Sequence, residues 1–297
     1  MTSGDDNRST VQGVVAAVYE RWWDGSSTGW DQLLAPDSVV LGPGADEVYL
    51  GRDGTSGSAR PGEPATERPA PAPDIGTVRV GISPAGQSGW FWGFARSPHG
   101  STGSGAQLRV SGSVSRGADG RWTVCHMFVS EAIGNERLGE YQLLAPTLTL
   151  LPQRVRPGAE DLVPLLHANL GIERLDTLPR RDDIVVIGTD PAEVFQGAQA
   201  YLEAFAPMRV QLEELQSTLR VDVVGGIDAA LTPDAQTGYL ATHLSSTVAG
   251  NRLPTLRVGW VFSRLAGNQF RLVCDHHAFP TPHPPLAPSD PKATSAG

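Results

Sequence analysis

Cysteine is nearly missing from this chain: Cys125 and Cys274 are the only two among 297 residues. They do not form the spaced pattern of a disulfide scaffold or a zinc ribbon, and this points to a reducing cytoplasm. Basic residues are also short, with 23 Lys and Arg against 32 Asp and Glu, and the net charge of -9 argues against nucleic acid or an anionic membrane as partner. No apolar run reaches the roughly 18 residues that a membrane span needs. The start, MTSGDDNRST, has no basic segment leading into an apolar one, so a soluble, unexported, cytoplasmic protein is expected.

What the chain does have is a stretch used twice. Leu256 to Phe279, LRVGWVFSRLAGNQFRLVCDHHAF, reads as two strands joined by a turn at Ala266-Gly267-Asn268. Leu108 to Ser130, LRVSGSVSRGADGRWTVCHMFVS, repeats the plan 148 positions earlier and pairs Trp122 with Phe270. A second anchor matches Gly42-Pro-Gly-Ala-Asp-Glu47-Val-Tyr-Leu-Gly51 with Gly188-Thr-Asp-Pro-Ala-Glu193-Val-Phe-Gln-Gly197. A third sets Ser83–Trp90 against Thr232–Tyr239. Three anchors in one order predict an internal repeat.

The division that follows is a disordered start over 1–8, a first domain over 9–131, a linker over 132–157, a second domain over 158–280 and a disordered tail over 281–297. Val11, Val14, Val15, Val18 and Trp22 recur at helical spacing. Residues 57–74, rich in Pro and Gly, are expected to form a mobile loop that trypsin cuts first, after Arg60 or Arg68. At the matching place the second copy has a plausible helix, Gln199–Phe205.

These residues resemble a family. Helix, strand, (I/L)G-x4-E-V-(Y/F)-x-G and a closing W-x-V-x-H strand look like the SnoaL-like branch of the nuclear-transport-factor-2-like superfamily. The family's last strand, W-R-I-V-H-x-H, is matched by Phe270-Arg-Leu-Val-Cys274-Asp-His276, with Cys at the first His position. The first copy keeps His126 there and has Phe128 at the second. The resemblance implies an α+β fold of two tandem cone-shaped domains. In each, a curved antiparallel sheet wraps around N-terminal helices, and the two pack as an intrachain pseudo-dimer, with room for further homo-oligomerisation. It also implies a cofactor-independent cyclase, isomerase, dehydratase or epoxide-opening enzyme of polyketide-type metabolism acting on a hydrophobic small molecule. The kinase association domain of the calcium/calmodulin family ends similarly and assembles oligomers, so a non-catalytic ligand-binding or assembly module is the alternative.

The expected chemistry lies in the second copy. If Phe270 and Leu272 face the cavity, a period of two brings Cys274 and His276 there too. His276 is then the general acid or base, Glu193 its charge partner or the second acid, and Tyr239 or His243 the donor to an oxyanion. Trp260, Cys274, Phe270, Asp190, Trp90, His126 and Glu47 complete the expected pocket linings. The plainer readings are a capping carboxylate for Glu193 and a satisfied core or interface histidine for His276. Trp90, Trp92 and Phe94 become Tyr239, Ala241 and His243 in the second copy, which suggests a filled first cavity and a wetter second one. Along Cys274-Asp275-His276-His277 at most two side chains share a side, too few for a metal. No metal and no cofactor is expected.

Overall fold

The computed structural model describes residues 4–23, 28–56, 74–76, 78–96, 107–133, 148–168, 184–215, 218–266 and 269–281. The first half contains α1 (Gly4–Trp23), β1 (Leu34–Leu41), β2 (Val48–Leu50), α2 (Gly51–Ser56), β3 (Asp74–Ile75), β4 (Arg79–Ile82), β5 (Ser88–Arg96), β6 (Gln107–Arg116) and β7 (Trp122–Glu131). The second contains β8 (Arg154–Val155), α3 (Leu162–Ala168), β9 (Val185–Ile187), β10 (Val194–Gln196), α4 (Ala198–Leu215), β11 (Leu219–Leu231), β12 (Thr237–Val248), β13 (Asn251–Arg252), β14 (Leu256–Arg264) and β15 (Phe270–Ala278).

The two sheets run in one order. The first is β2-β1-β7-β6-β5, with β3 and β4 on β5; the second is β10-β9-β15-β14-β12-β11, extended by β8 and with β13 on β12. In each, a strand from the start of the half lies parallel to the last strand, β1 on β7 and β9 on β15, while the last strand is antiparallel to the one before it. Trp122 starts β7 opposite Arg116, and Phe270 starts β15 opposite Arg264. The mixed α+β architecture expected from the sequence is present.

Each sheet holds a helical layer on one face. Val11, Val15, Val18 and Tyr19, at helical spacing, are fully buried on α1 and share a core with Phe91, Val110, Trp122, Met127 and Val129. In the second half Leu162 and Leu166 of α3 and Tyr201 of α4 share a core with Leu240, Val258, Trp260, Phe262 and Leu272. Side chains of this size contribute about 1.5–3 kcal/mol each when fully buried. These two cores, each held between a sheet and its helices, stand where the cone interiors were expected.

Several boundaries differ from the sequence reading. Helix α1 starts at Gly4, inside the segment expected to be disordered, because Asp5 and Asp6 favour a helix N-terminus and Asp5 pairs with Arg8. The helix expected at Gln199–Phe205 is longer, spanning α4. The linker's end forms β8 on β11, and Leu151 is buried. Thr281, placed in the tail, exchanges backbone hydrogen bonds with Pro43 and Ala45 of the first half. The Pro-rich stretch 57–73, most of Tyr141–Leu151 and the tail beyond 281 lie outside the described residues.

Candidate active site

Both last strands carry a β-bulge, and the bulge decides which side chains enter the cone. In the first sheet His126 pairs with Ser113 and Val124 with Val114, leaving Cys125 as the extra residue. In the second, Cys274 pairs with Val261 and Leu272 with Phe262, leaving Val273. One extra residue reverses the side-chain alternation beyond it. Phe270 and Leu272 therefore face the second cone, but Cys274 and His276 do not. The strict period of two used in the sequence reading fails at this bulge. Asp275 and His277 point inward instead.

Asp275 is fully buried and sits opposite Trp260, another fully buried residue of the second core. The Trp260 indole N–H donates to Asp275 Oδ1 at 2.7 Å, and His277 Nε2 lies 2.5 Å from the same oxygen. The indole is 3.4 Å from His277 Nε2, so distance assigns its hydrogen to the carboxylate. The short Asp275–His277 contact then holds one proton between the two groups. His277 keeps 16% of its side chain exposed, so the pair touches solvent through the imidazole alone. A buried carboxylate bound to one nitrogen of an imidazole orients the ring and sets its tautomer, the arrangement that acid–base chemistry uses.

The matching positions of the first half lack this chemistry. At the positions 148 earlier stand Gly112, Met127 and Val129 for Trp260, Asp275 and His277. Met127 and Val129 are fully buried in the first core, and Phe91 fills the room that Gly112 leaves. In the second half Leu240 takes Phe91's place and Trp260 takes Gly112's, a size exchange between neighbouring strands.

The other expected site residues lie in the seam where the outer faces of the sheets meet. His276 is fully buried, with Nδ1 2.8 Å from Ser111 Oγ and Nε2 2.7 Å from Ser130 Oγ, and its ring stacks on Phe128. Burial first, then the Arg109, His277 and His126 charges, hold its pKa well below the usual histidine range. His126 stacks on Tyr239, and burial pushes it down to about 3. Tyr239 donates to Asp228 Oδ1 at 3.0 Å and accepts from Arg156 Nη1 at 2.5 Å, so its hydroxyl is occupied. Burial, with Asp228 beside it, raises its pKa well above the usual value. His243 is fully buried and accepts from Arg257 Nε at 3.3 Å; burial and then Arg257 lower it to about 3. Burial raises Cys274 to about 12, far from a thiolate. Trp90, Trp92 and Phe94 pack in the seam with Val185, Ile187 and Cys274; they do not fill the first cone, because Phe91 and Ala95 are the inward residues of β5.

The two Gly-x4-Glu loops are also built for the seam. Glu193 Oε2 accepts the Thr189 and Asp190 amides at 2.7 and 3.0 Å, and Glu47 Oε2 accepts the Gly44 amide at 2.7 Å. No helix starts after Asp190; the loop joins β9 to β10, and Glu193 closes the loop rather than capping a helix. A Cβ on Gly42 or Gly188 would overlap that carboxylate, so glycine is required at both places. With the amides turned inward, the loop carbonyls face out and receive a buried arginine from the other half. Arg109 donates to Gly188, Thr189 and Asp190 carbonyls at 2.5–3.2 Å. Arg257, 148 positions later, donates to Gly42, Gly44 and Ala45 carbonyls at 2.7–3.1 Å. Burial lowers Arg109 to about 10, against the raising pull of Glu193 and Asp190.

Sequence reasoning missed Asp275, His277 and both arginines. A signal for the first pair was present: Trp122, Val124, Met127 and Val129 shift their apolar parity at Cys125, which marks the bulge. Nothing local marks Arg109 or Arg257, whose acceptors lie in the other half. Among the described residues no group of three His, Cys, Asp or Glu side chains is placed to hold a metal, and no helix is long and apolar enough to cross a membrane.

No protein-family profile matches the chain, and no curated protein matches it. Among solved structures it is similar to an NTF2-like superfamily protein from Salmonella enterica serovar Typhimurium, at 14% identity over 42% of this chain and 89% of that one, with a TM-score of 0.32. It is similar to an NTF2-like protein of unknown function from Pseudomonas putida, at 14% identity over 40% of this chain and 84% of that one, with a TM-score of 0.33. It is also similar to Aln2 from a Streptomyces species, at 16% identity over 42% of this chain and 93% of that one, with a TM-score of 0.31.

Proposed function

We propose that the chain is two SnoaL-like units fused in tandem and packed as a pseudo-dimer, and that the second cone carries cofactor-independent acid–base chemistry on a hydrophobic carbonyl compound. The observation that carries the chemistry is the buried Asp275–His277 pair with its Trp260 donor, set against Met127, Val129 and Gly112 in the other cone. The pseudo-dimer rests on contacts between matching positions. Ser88 Oγ lies 2.9 Å from Thr237 Oγ1, Phe128 stacks on His276, and each arginine enters the other half's loop. A two-fold axis produces such self-matching pairs.

His277, held by Asp275, takes a proton from carbon next to a carbonyl and returns it elsewhere on the enolate, the common step of isomerisation, cyclisation and dehydration. Val258, Leu272 and Phe270 share a core with Trp260 and give the pair apolar surroundings. The test is deuterium uptake into 2-tetralone in D2O, followed by NMR. Wild type should exceed buffer, and Asp275→Asn and His277→Gln should each lose about 100-fold or more. His276→Asn should retain the rate, since His276 lies in the seam. Exchange at the buffer rate, with 2-tetralone still protecting the fold against heat, would leave the binding-module reading standing.

A further inference from the structure

Away from both cones, a cleft of ≈ 360 Å³ opens along the seam between the halves. Its volume falls at the small end of ligand pockets, which run from about 300 to 1,000 Å³. The first half contributes Ala35, Pro36 and Thr123, and the second contributes Leu231, Pro233 and Tyr239. Tyr239 presents its ring there as a fixed wall, because its hydroxyl is engaged by Asp228 and Arg156.

Five charged side chains reach this cleft: Arg52, Arg121, Asp31, Asp37 and Asp119. Arg121 is paired with Asp119 at 2.6 Å, and Asp37 with Arg156 at 2.9 Å. Asp31 stands exposed at the rim, where water screens it. Arg52, in the first turn of α2, is half-buried, and its buried Nε has no hydrogen-bond partner among the described residues. A buried N–H without an acceptor costs about 1–3 kcal/mol, so a native structure seldom keeps one without a reason.

We propose that this cleft is a second small-molecule site, for a monocarboxylic acid with an apolar body, whose carboxylate is gripped by Arg52. A guanidinium fork binds a carboxylate through two parallel hydrogen bonds, and such a ligand supplies the acceptor that Nε lacks. The apolar walls receive the body of the ligand. Among the described residues the carboxylates of Asp31, Asp37 and Asp119 surround one uncommitted cation and disfavour a dianion, which separates this site from a phosphate site. The inference is independent of the acid–base reading of the second cone.

Isothermal titration of the full chain with 3-phenylpropionate tests it, with 3-phenylpropanol and inorganic phosphate as the neutral and dianionic comparisons. The acid should bind, and both comparisons should bind at least about tenfold more weakly, the scale of one charge-assisted hydrogen bond. Arg52→Met, which keeps the stem and loses the fork, should weaken the acid by about tenfold or more, with Arg52→Lys between it and wild type. Asp275→Asn should leave this binding unchanged, and 2-tetralone should not displace the acid. No heat with the acid, equal binding of the alcohol or of phosphate, or an unaltered Arg52→Met overturns the proposal.

Discussion

Mild acid should open this protein through its buried histidines. His126 and His243 have no exposed surface and are held down to about 3, and His276 is held well below the usual range, in each case chiefly by burial. A group whose folded pKa lies below its unfolded value takes up its proton first in the unfolded chain. The stability it contributes is therefore complete above about pH 6.5 and is lost as the pH falls towards 3. At pH 5 the gap to the unfolded value is about 1.5 units, or about 2 kcal/mol per histidine at 1.36 kcal/mol per unit. His126 and His243 together cost roughly 4 kcal/mol, with His276 adding in the same direction, against a total stability of roughly 5–15 kcal/mol for an ordinary domain. Thermal unfolding between pH 7.5 and 5.0 should show Tm falling by roughly 10–20 °C. His126→Phe, which keeps a ring against Tyr239, should recover about 2 kcal/mol of the acid loss. A melting temperature that stays flat to pH 5, or a His126→Phe variant with the full wild-type slope, refutes this account of the seam.

Arg257→Met and Arg109→Met should each lower stability by about 3 kcal/mol or more in urea titrations, because each leaves several buried carbonyls without a donor. Similar losses from the two would match their reciprocal placement, while a loss from only one would contradict it. Gly188→Ala should displace Glu193 from the Thr189 and Asp190 amides and cost about 2–4 kcal/mol by the same measurement. Met127→Asp should destabilise by more than about 3 kcal/mol, and Asp275→Met, which takes their shared acceptor from the Trp260 indole and His277, should cost about 1–3 kcal/mol. If Met127→Asp is tolerated, the first cone is wetter than its packing indicates.

The mixed α+β class and the individual strands were legible because they rest on local signals, alternation and turn residues. The face assignment of β14 was equally direct, with Leu256, Val258, Trp260 and Phe262 all in one core. The last strand was harder. Both of its faces are buried, one in the cone and one in the seam, so hydrophobicity alone does not orient it. A single bulge at Val273 exchanged His276 for His277 and Cys274 for Asp275. Glu47 and Glu193 were visible as a shared motif, but their role depends on arginines more than sixty residues from them in sequence, which no local pattern encodes.

If the halves are the fused units we propose, the stack of Phe128 on His276 bears on how they came to differ. When two identical subunits meet across a two-fold axis, whatever residue stands on that axis must meet its own copy. Histidine would then face histidine, and any proton taken up by one would be felt by the other at ring-contact distance, about 4.2 Å here. Joining the halves in one polypeptide removes that obligation. A phenyl ring can lie under a single imidazole that two serines hold, and a change in one cone is no longer copied into the other. One half is then free to become a dense apolar support, and the other can keep an ionisable pair in its core.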